Sequence, residues 1–187
     1  MATNPEQRYV RLVAESNLFR IETIGLRFTN GTEVEFERLT PGHGGGAVLV
    51  VPVTEDGRIL MIREYAVGTN RYELGLPKGR LEVGEVPETG ARRELREEVG
   101  YDAARVDRLR QVTLAPGYIA HQTTIILARE LNHAPLVGDE PEVIEVVPWP
   151  LSGFDDLMAR GDLTEARSIT ALYLTRAFLE NDKGGSR

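Results

Sequence analysis

Three glutamates in the middle of the chain have the spacing that divalent-metal chemistry requires. Glu94, Glu97 and Glu98 lie within Pro87 to Val99, a segment with proline near its start, acidic residues in its first turn and Gly100 as its stop. These signals predict a helix. Residues three and four apart on a helix share a face, so the carboxylates should lie side by side. A hard divalent cation, which prefers oxygen ligands, would turn their mutual repulsion into attraction.

An exposed, charged helix face is the simpler interpretation, because helix surfaces are commonly charged. Arg92, Arg93 and Arg96 could supply ordinary salt bridges on such a face. The segment before the helix favours the metal instead. Gly79 opens a glycine-containing loop that can return Glu85 toward Arg93. Bringing a further carboxylate onto an acidic helix is costly unless something cationic is present there.

The segment from Gly79 to Tyr101 resembles the Nudix box, Gly-x5-Glu-x7-Arg-Glu-U-x-Glu-Glu-x-Gly-U, in which U is a bulky aliphatic residue. One position departs from the pattern, because Tyr101 stands where the last aliphatic residue is expected, and that position is structural. Eight spaced matches within 23 residues identify the chain as a member of the Nudix hydrolases. The matching residues are Gly79, Glu85, Arg93, Glu94, Leu95, Glu97, Glu98 and Gly100.

Other segments are similar to the Nudix branch that acts on ADP-ribose. Pro116, fifteen residues after Tyr101, resembles the proline that marks this branch. Residues 16–38 and 62–75 closely resemble the bacterial ADP-compounds hydrolases, and the similarity spans roughly residues 16 to 180. The resemblance implies hydrolysis of a pyrophosphate linkage with Mg2+, or with Mn2+ in its place. The expected reaction converts ADP-ribose to AMP and ribose 5-phosphate, with NADH and diadenosine polyphosphates as further substrates.

The resemblance also implies roles for the residues of the box. Glu94 and Glu98 are expected to be the main metal ligands, and Glu97 to bind metal or to order its waters. The backbone carbonyl of Lys78 is expected to be a further ligand. Arg93 should orient the site by pairing with the glutamate of the preceding loop, which is a supporting role rather than a chemical one.

A glutamate on a loop after the box positions or deprotonates the attacking water in some members of this branch. Glu140 lies in the comparable loop and is the predicted base, with Glu142 as the alternative. A solvated acidic loop is the competing interpretation for both. Four more residues are predicted to contact the substrate, each with a structural role as the alternative: Arg63, Glu64, Glu73 and Tyr118.

Several predicted strands with a few helices indicate an α/β (α+β) sandwich with a mixed sheet, and the resemblance implies the Nudix α/β/α sandwich. The last two predicted helices each begin with a hydroxyl residue that could act as a cap. The predicted helices are Pro87–Val99, Ser152–Arg160 and Thr164–Leu179. The predicted strands are Ala47–Val53, Ile59–Glu64, Arg71–Leu76, Val106–Leu114, Gln122–Ala128 and Val143–Val147.

Residues 1–40 are predicted to form a small antiparallel β unit, and residues 41–187 the hydrolase domain. Two strands, Phe19–Phe28 and Val34–Leu39, flank an Asn-Gly turn signal. The glycine-rich stretch Pro41–Gly46 would join the two parts. A two-stranded ribbon is barely stable alone, so it should pack on the main domain or on a second subunit. The relatives and the ribbon together favour a homodimer whose N-terminal unit crosses to the partner.

Composition limits the classes of function. A net charge of −7 disfavours binding to nucleic acid. The chain has no cysteine, which excludes disulfides, thiolate metal sites and a cysteine nucleophile, and its three histidines are too scattered for a zinc cage. No signal-peptide pattern opens the sequence, and its apolar runs are too short to span a membrane. A small nucleotide is therefore the expected partner, and the cytoplasm the expected location.

Two other functions compete with this hypothesis. A nucleotide-sugar hydrolase, such as one acting on GDP-mannose, shares the box and a similar N-terminal unit. A catalytically silent nucleotide sensor belongs to a different class and usually lacks box glutamates, whereas all of them are present here. Identifying the products formed from a panel of substrates would distinguish the nucleotide-sugar hydrolase from an ADP-ribose hydrolase. Turnover of substrate without any partner would exclude the nucleotide sensor.

Overall fold

The chain folds into two compact units in the computed structural model, which describes residues 3–42 and 46–184. Of the described residues, 3–42 and 113–122 belong to the first unit, and 46–112 and 123–184 belong to the second. The predicted glycine-rich join falls partly on residues 43–45, which lie outside the described residues. No helix in the described ranges is both long enough and apolar enough to cross a membrane.

The first unit is a three-stranded antiparallel sheet in the order β1 (Glu6–Glu15), β2 (Phe19–Arg27), β3 (Glu33–Pro41). The predicted two-stranded ribbon was therefore wrong by one strand. β1 escaped prediction because two irregularities break its register with β2, between Gln7 and Tyr9 and between Leu12 and Ala14. Such bulges disturb the period-two alternation by which a strand is recognised in a sequence.

A segment from the middle of the chain completes the first unit. The backbone N–H of Leu39 donates to the carbonyl of Tyr118 at 2.8 Å, and the N–H of Ala120 donates to the carbonyl of Leu39 at 2.8 Å. Residues 113–122 are thereby hydrogen-bonded to β3, although more than seventy positions separate them in sequence.

Within the described residues, the second unit contains seven strands in two sheets. β4 (Ala47–Pro52), β7 (Lys78–Arg80), β8 (Tyr101–Thr113) and β9 (Gln122–His133) form a sheet in the order β7-β4-β9-β8, in which β4 and β9 are parallel. β5 (Arg58–Ala66), β6 (Arg71–Gly75) and β10 (Glu145–Pro150) form an antiparallel sheet in the order β10-β5-β6.

Three α-helices of the described chain pack against these sheets: α1 (Pro87–Glu98), α2 (Phe154–Met158) and α3 (Ala166–Gly184). β4 shows why they lie on both faces, because all six of its residues are buried. Leu49 and Val51 belong to an apolar cluster with residues of α2 and α3, whereas Val50 belongs to a second cluster with Leu95 of α1. Alternate residues of a strand face opposite ways, so this burial needs a layer on each side. The predicted mixed sandwich is confirmed.

The helix ends follow the sequence signals only in part. α1 begins at Pro87 and is followed by Gly100 with a φ of 83°, as predicted. The hydroxyl caps predicted for the other two helices were wrong. α2 has no side-chain cap hydrogen bond. At α3 the carboxylate of Glu165 accepts the backbone N–H of Ser168 at 2.7 Å. A carboxylate serves as well as a hydroxyl for an unpaired N–H at a helix start.

Candidate active site

The acidic face of α1 is set by the way its apolar side packs. Ala91, Leu95 and Val99 belong to the apolar cluster on the α1 side of β4. This packing fixes the rotation of the helix about its axis. Glu94 and Glu98, on the adjoining face, are consequently buried, each with 7% of its surface exposed. The sequence predicted that these carboxylates share a face, but it did not predict that they are removed from solvent.

Glu98 is the most deeply perturbed acid of the site. The backbone N–H of Lys78 donates to its Oε2 at 3.1 Å. Burial raises the pKa of Glu98 to about 8; the charge of Lys78 opposes this shift, and repulsion from Glu94 adds to it. Burial is also the main reason that the pKa of Glu94 is raised. A carboxyl group in such surroundings favours binding a proton or another cation at neutral pH.

Arg93 links the loop before α1 to the glutamates on the helix. Its Nε and Nη2 donate to the two carboxylate oxygens of Glu85, each at 3.1 Å, and Nη2 also donates to the carbonyl of Arg80 at 2.9 Å. Its Nη1 donates to Glu94 at 2.7 Å and to Glu97 at 3.0 Å. The hydrogen bonds from Arg93 lower the pKa of Glu85. The pairing of Arg93 with Glu85 is thus present, and its role in orienting a metal site stays a prediction.

Two glycines allow the backbone to approach these carboxylates. A Cβ placed on Gly79 would overlap the carboxylate of Glu94. A Cβ placed on Gly90 would overlap the side chain of Leu81 and lie 3.0 Å from Oε2 of Glu85. The first glycine of the box therefore leaves room for the carboxylate of Glu94, and a side chain there would force the loop or Glu94 to move.

Arg63 and Glu64, both predicted to contact the substrate, have partners inside the protein. Arg63 donates through Nη1 to Asp162 at 2.9 Å, and its Nε lies 3.0 Å from Oε2 of Glu145. Glu64 accepts from Nζ of Lys78 at 2.8 Å. Lys78 therefore contacts Glu64 through its side chain and Glu98 through its backbone N–H. Substrate contacts by Arg63 and Glu64 stay predictions.

Glu73 and Tyr118, the other two predicted substrate contacts, lie in different units. Glu73 on β6 accepts from Nε of Arg71 at 2.8 Å and from the hydroxyl of Thr164 at 3.1 Å. The hydrogen bond from Arg71 is the main reason that the pKa of Glu73 is lowered. Tyr118 belongs to the first unit, where it is 63% exposed. Both substrate roles remain predictions.

The loop between β9 and β10, residues 134–144, carries the predicted base. It passes beside α1, because a Cβ placed on Gly138 would lie 3.4 Å from the Cβ of Glu97. Partial removal of its carboxyl from water raises the pKa of Glu140, and repulsion from Glu64 adds to the shift. Within the described residues Glu140 forms no hydrogen bond or ion pair, whereas Glu142 accepts a hydrogen bond from a tyrosine of β6. The alternative base thus has a partner and the predicted base does not.

The donor set at α1 fits a magnesium ion. Among the residues that the structure describes, no three Asp, Glu, His or Cys side chains already surround a common point. Magnesium does not require such a cage, because it keeps several waters and takes one or two carboxylates together with substrate phosphates. Glu94 and Glu98 supply two buried carboxylates as oxygen donors, and burial is the main reason that their pKa values are raised.

Some contacts around the site had no signal in the sequence. In each of these contacts the two residues lie far apart in sequence, by 14, 99 and 70 positions, so no local spacing connects them. They could be found only from the tertiary fold. These contacts are Lys78–Glu64, Arg63–Asp162 and Tyr72–Glu142.

This sandwich and its glutamate helix define the class of protein: the chain belongs to the Nudix family, whose domain model matches residues 44–171. A second model, described as the NudE-type Nudix hydrolase N-terminal domain, matches residues 5–38. The family and the enzyme class predicted from the sequence, a Nudix pyrophosphohydrolase, are confirmed.

Relatives with named activities narrow the class further. The chain is 42% identical over 171 residues to the ADP compounds hydrolase NudE of Escherichia coli (strain K12), covering 91% of each protein. It is 33% identical to the ADP-ribose pyrophosphatase of Bacillus subtilis (strain 168), covering 68% of this chain and 70% of that one. A crystal structure of an ADP compounds hydrolase matches with a TM-score of 0.90 and 40% identity over 97% of both chains.

Proposed function

We propose that the protein hydrolyses the pyrophosphate linkage of ADP compounds with magnesium as its metal ion. The observation that carries this proposal is the burial of Glu94 and Glu98 on one face of α1, with Gly79 close to the carboxylate of Glu94. Burial disfavours the charge of both carboxylates, and a divalent cation bound beside them would offset that cost. The relatives that are named for ADP compounds and for ADP-ribose support the class of substrate.

A pyrophosphate is slow to hydrolyse because its negative oxygens repel an incoming nucleophile. A bound magnesium ion would neutralise those oxygens and lower the pKa of a water molecule. Glu94 and Glu98 would hold the ion, with Glu97 and the carbonyl of Lys78 as further ligands. Arg93 keeps the carboxylates of Glu94 and Glu97 in place through its hydrogen bonds to both.

Glu140 is the proposed base that orients the attacking water and takes its proton. Its loop runs beside Glu97, and its pKa is raised by partial burial and by repulsion from Glu64. A raised pKa brings a carboxylate closer to the value at which a general base works well near neutral pH. Water adds across the P–O–P bridge: one phosphorus gains the hydroxyl, and the bridging oxygen leaves with the other.

An assay of products over four nucleotides tests this function. ADP-ribose should yield AMP and ribose 5-phosphate only when magnesium is present, and NADH and diadenosine triphosphate should be further substrates. Cleavage of GDP-mannose alone would identify a nucleotide-sugar hydrolase instead. Tight binding of ADP-ribose without turnover, at any magnesium concentration, would identify a non-catalytic sensor.

We also propose that the enzyme is a cytoplasmic homodimer whose N-terminal unit crosses to the partner. All ten residues of β1 are exposed in the single chain, and they include the apolar residues Tyr9, Val10, Leu12 and Val13. An exposed strand with this many apolar side chains supports a contact with a second subunit. The cytoplasmic location is supported by the supply of magnesium and small nucleotides there.

A further inference from the structure

The middle of the loop that carries Glu140 has little apolar contact to hold it, although Ile144 at its end packs against the cluster on the α1 side. Residues 134–144 form no helix or strand, and they connect β9 with β10. Val137 and Val143, on either side of Glu140, are each 98% exposed. Burial of apolar surface therefore does not fix the position of this loop at these two residues. The start of the loop is already tied to α1, because the backbone N–H of Leu136 donates to the carbonyl of Arg96 at 3.0 Å. Beyond residue 136, a further polar contact is needed if Glu140 is to keep a defined place beside the helix.

One hydrogen-bonded pair supplies such a restraint. The hydroxyl of Tyr72, on β6, donates to the carboxylate of Glu142, with distances of 2.9 Å to Oε1 and 3.1 Å to Oε2. Within the described part of the chain, this is the one side-chain hydrogen bond formed by residues 137–144. The hydrogen bond to Glu142 is also the main reason that the pKa of Tyr72 is raised.

Tyr72 is itself held in a fixed orientation. It lies directly opposite Tyr65 in the β5–β6 hairpin, and the two rings meet edge to face with centroids 5.6 Å apart. The hydroxyl of Tyr65 donates to Asn70 in the hairpin turn at 2.6 Å. Tyr65 thus supports the ring of Tyr72, but its own hydroxyl bonds only within the hairpin. The two tyrosines are neighbours with similar exposure and different hydroxyl partners.

The same hairpin also connects to the buried glutamates. Glu64 on β5 pairs with Nζ of Lys78, and the backbone N–H of Lys78 donates to Glu98. The hairpin is therefore bonded to the metal-binding side of the site through Lys78, and to the loop of the proposed base through Tyr72. A rigid element that contacts both sides can keep them in register.

We propose that Tyr72 is a positioning residue whose hydrogen bond to Glu142 holds the loop of residues 134–144 so that Glu140 stays beside α1. This inference rests on the proposed function, with Glu140 as the base. It gives Glu142 a separate role as the acceptor that fastens the loop. Loss of the bond should reduce the rate of the chemical step more than it reduces substrate binding, because the base would be misplaced while the metal ligands stay in position.

Steady-state kinetics on ADP-ribose compare two matched variants. Tyr72→Phe should lower kcat by about tenfold, the scale of one hydrogen bond to a charged group, while KM changes less than about twofold. Tyr65→Phe removes a hydroxyl from the neighbouring ring and should keep both constants within about twofold of the wild type. Equal kcat values in the two variants would overturn the proposal.

Variants of the acceptor test the pair itself. Glu142→Ala should match Tyr72→Phe, and the double variant should be no slower than either single one, because all three lack the same bond. Glu142→Gln keeps an oxygen that can accept from Tyr72, so it should recover part of the rate that Glu142→Ala loses. Losses that add in the double variant, or a Gln variant as slow as Ala, would mean that the two residues act separately.

Hydrogen exchange in the ligand-free protein gives a readout that does not depend on activity. Peptides from the loop of residues 134–144 should exchange faster in Tyr72→Phe than in Tyr65→Phe or the wild type. Unchanged exchange in Tyr72→Phe would overturn the proposal even if its kcat falls. A wild type that hydrolyses no ADP compound would reject the proposed function, whereas an active wild type with an equally active Tyr72→Phe would reject the positioning role alone.

Discussion

A carboxylate that is removed from water is stable as an anion only beside positive charge. α1 carries one glutamate that stays in contact with water and another that is buried. Glu88, in its first turn, keeps a side chain that is 38% exposed and pairs with Arg108. Glu98, in its last turn, is 7% exposed, and burial raises its pKa to about 8. Glu88 and Glu98 are the same residue type on the same helix, so burial is what distinguishes the candidate metal ligand from the surface charge.

Substitution of Gly79 by alanine should damage the site without a change in any acidic residue. The added Cβ would overlap the carboxylate of Glu94, so the loop or the glutamate must move. We expect weaker magnesium binding by titration calorimetry and a loss of at least about tenfold in AMP release from ADP-ribose, the scale found when ligand support is disturbed.

Gly68→Ala is the matched control for this change. Gly68 has no heavy atom within 4 Å of an added Cβ. Its alanine variant should bind magnesium and turn over ADP-ribose like the wild type. If Gly79→Ala behaved in the same way, the close approach of loop and helix would have no bearing on the metal site.

At the scale of elements, the connection between α2 and α3 fastens the edge of the β10-β5-β6 sheet. The carbonyl of Asp162 accepts the backbone N–H of Leu74 on β6 at 2.8 Å. Its carboxylate accepts from Arg63 at 2.9 Å and from Arg160 at 2.7 Å. The hydrogen bond from Arg160, followed by that from Arg63, holds the pKa of Asp162 well below its usual range. This connection therefore contributes a stability that depends on pH.

Asp162→Asn should lower the free energy of unfolding at neutral pH by about 1 kcal/mol, the scale of a partly exposed ion pair. A lowered pKa in the folded state means that the stabilisation is complete above the ordinary aspartate value of 3.8 and is lost as the pH falls below it. Urea unfolding of both proteins across this range should show the difference shrinking with acid. Asp156→Asn, an exposed change on α2, should cost little at any pH.

The elements differ in how well the sequence foretells them. Pro87, the acidic first turn and Gly100 predicted α1 to within one residue, and the spacing of its glutamates predicted that they share a face, because both follow from local signals. β1 was missed because bulges interrupt its alternation, and the cap of α3 was misassigned because Glu165 replaces the expected hydroxyl. The ties of Glu142 to Tyr72 and of Arg63 to Asp162 join distant segments, so only the folded chain reveals them.

At the scale of the whole molecule, the two units differ in how much of their apolar surface is exposed to solvent. The second unit has two apolar clusters enclosed between sheets and helices. The first unit is a sheet whose apolar residues, including Phe19, Val34 and Phe36, stay largely exposed in the single chain. A small sheet with so much exposed apolar surface supports the proposed crossing to a second subunit.

The proposed dimer predicts a solution mass of twice the 20.8 kDa chain by light scattering at working concentration. Val10→Asp together with Leu12→Asp, on the exposed strand β1, should shift the protein toward monomers, because charges in an apolar interface are costly to bury. Glu6→Gln on the same strand is the matched control and should leave the mass unchanged. A wild-type protein that is monomeric in solution would contradict the proposed crossing of the N-terminal unit to a second subunit.

The central claim is that Glu98 holds a divalent ion against a pyrophosphate, and Glu98→Gln tests it most directly. AMP release from ADP-ribose in magnesium should fall by about a hundredfold or more, since metal stabilisation of the reaction is worth several kcal/mol. The circular dichroism spectrum should be unchanged, because a neutral amide suits a buried position. Glu88→Gln on the same helix should keep the wild-type rate. A Glu98→Gln enzyme that releases AMP as fast as the wild type would contradict the account.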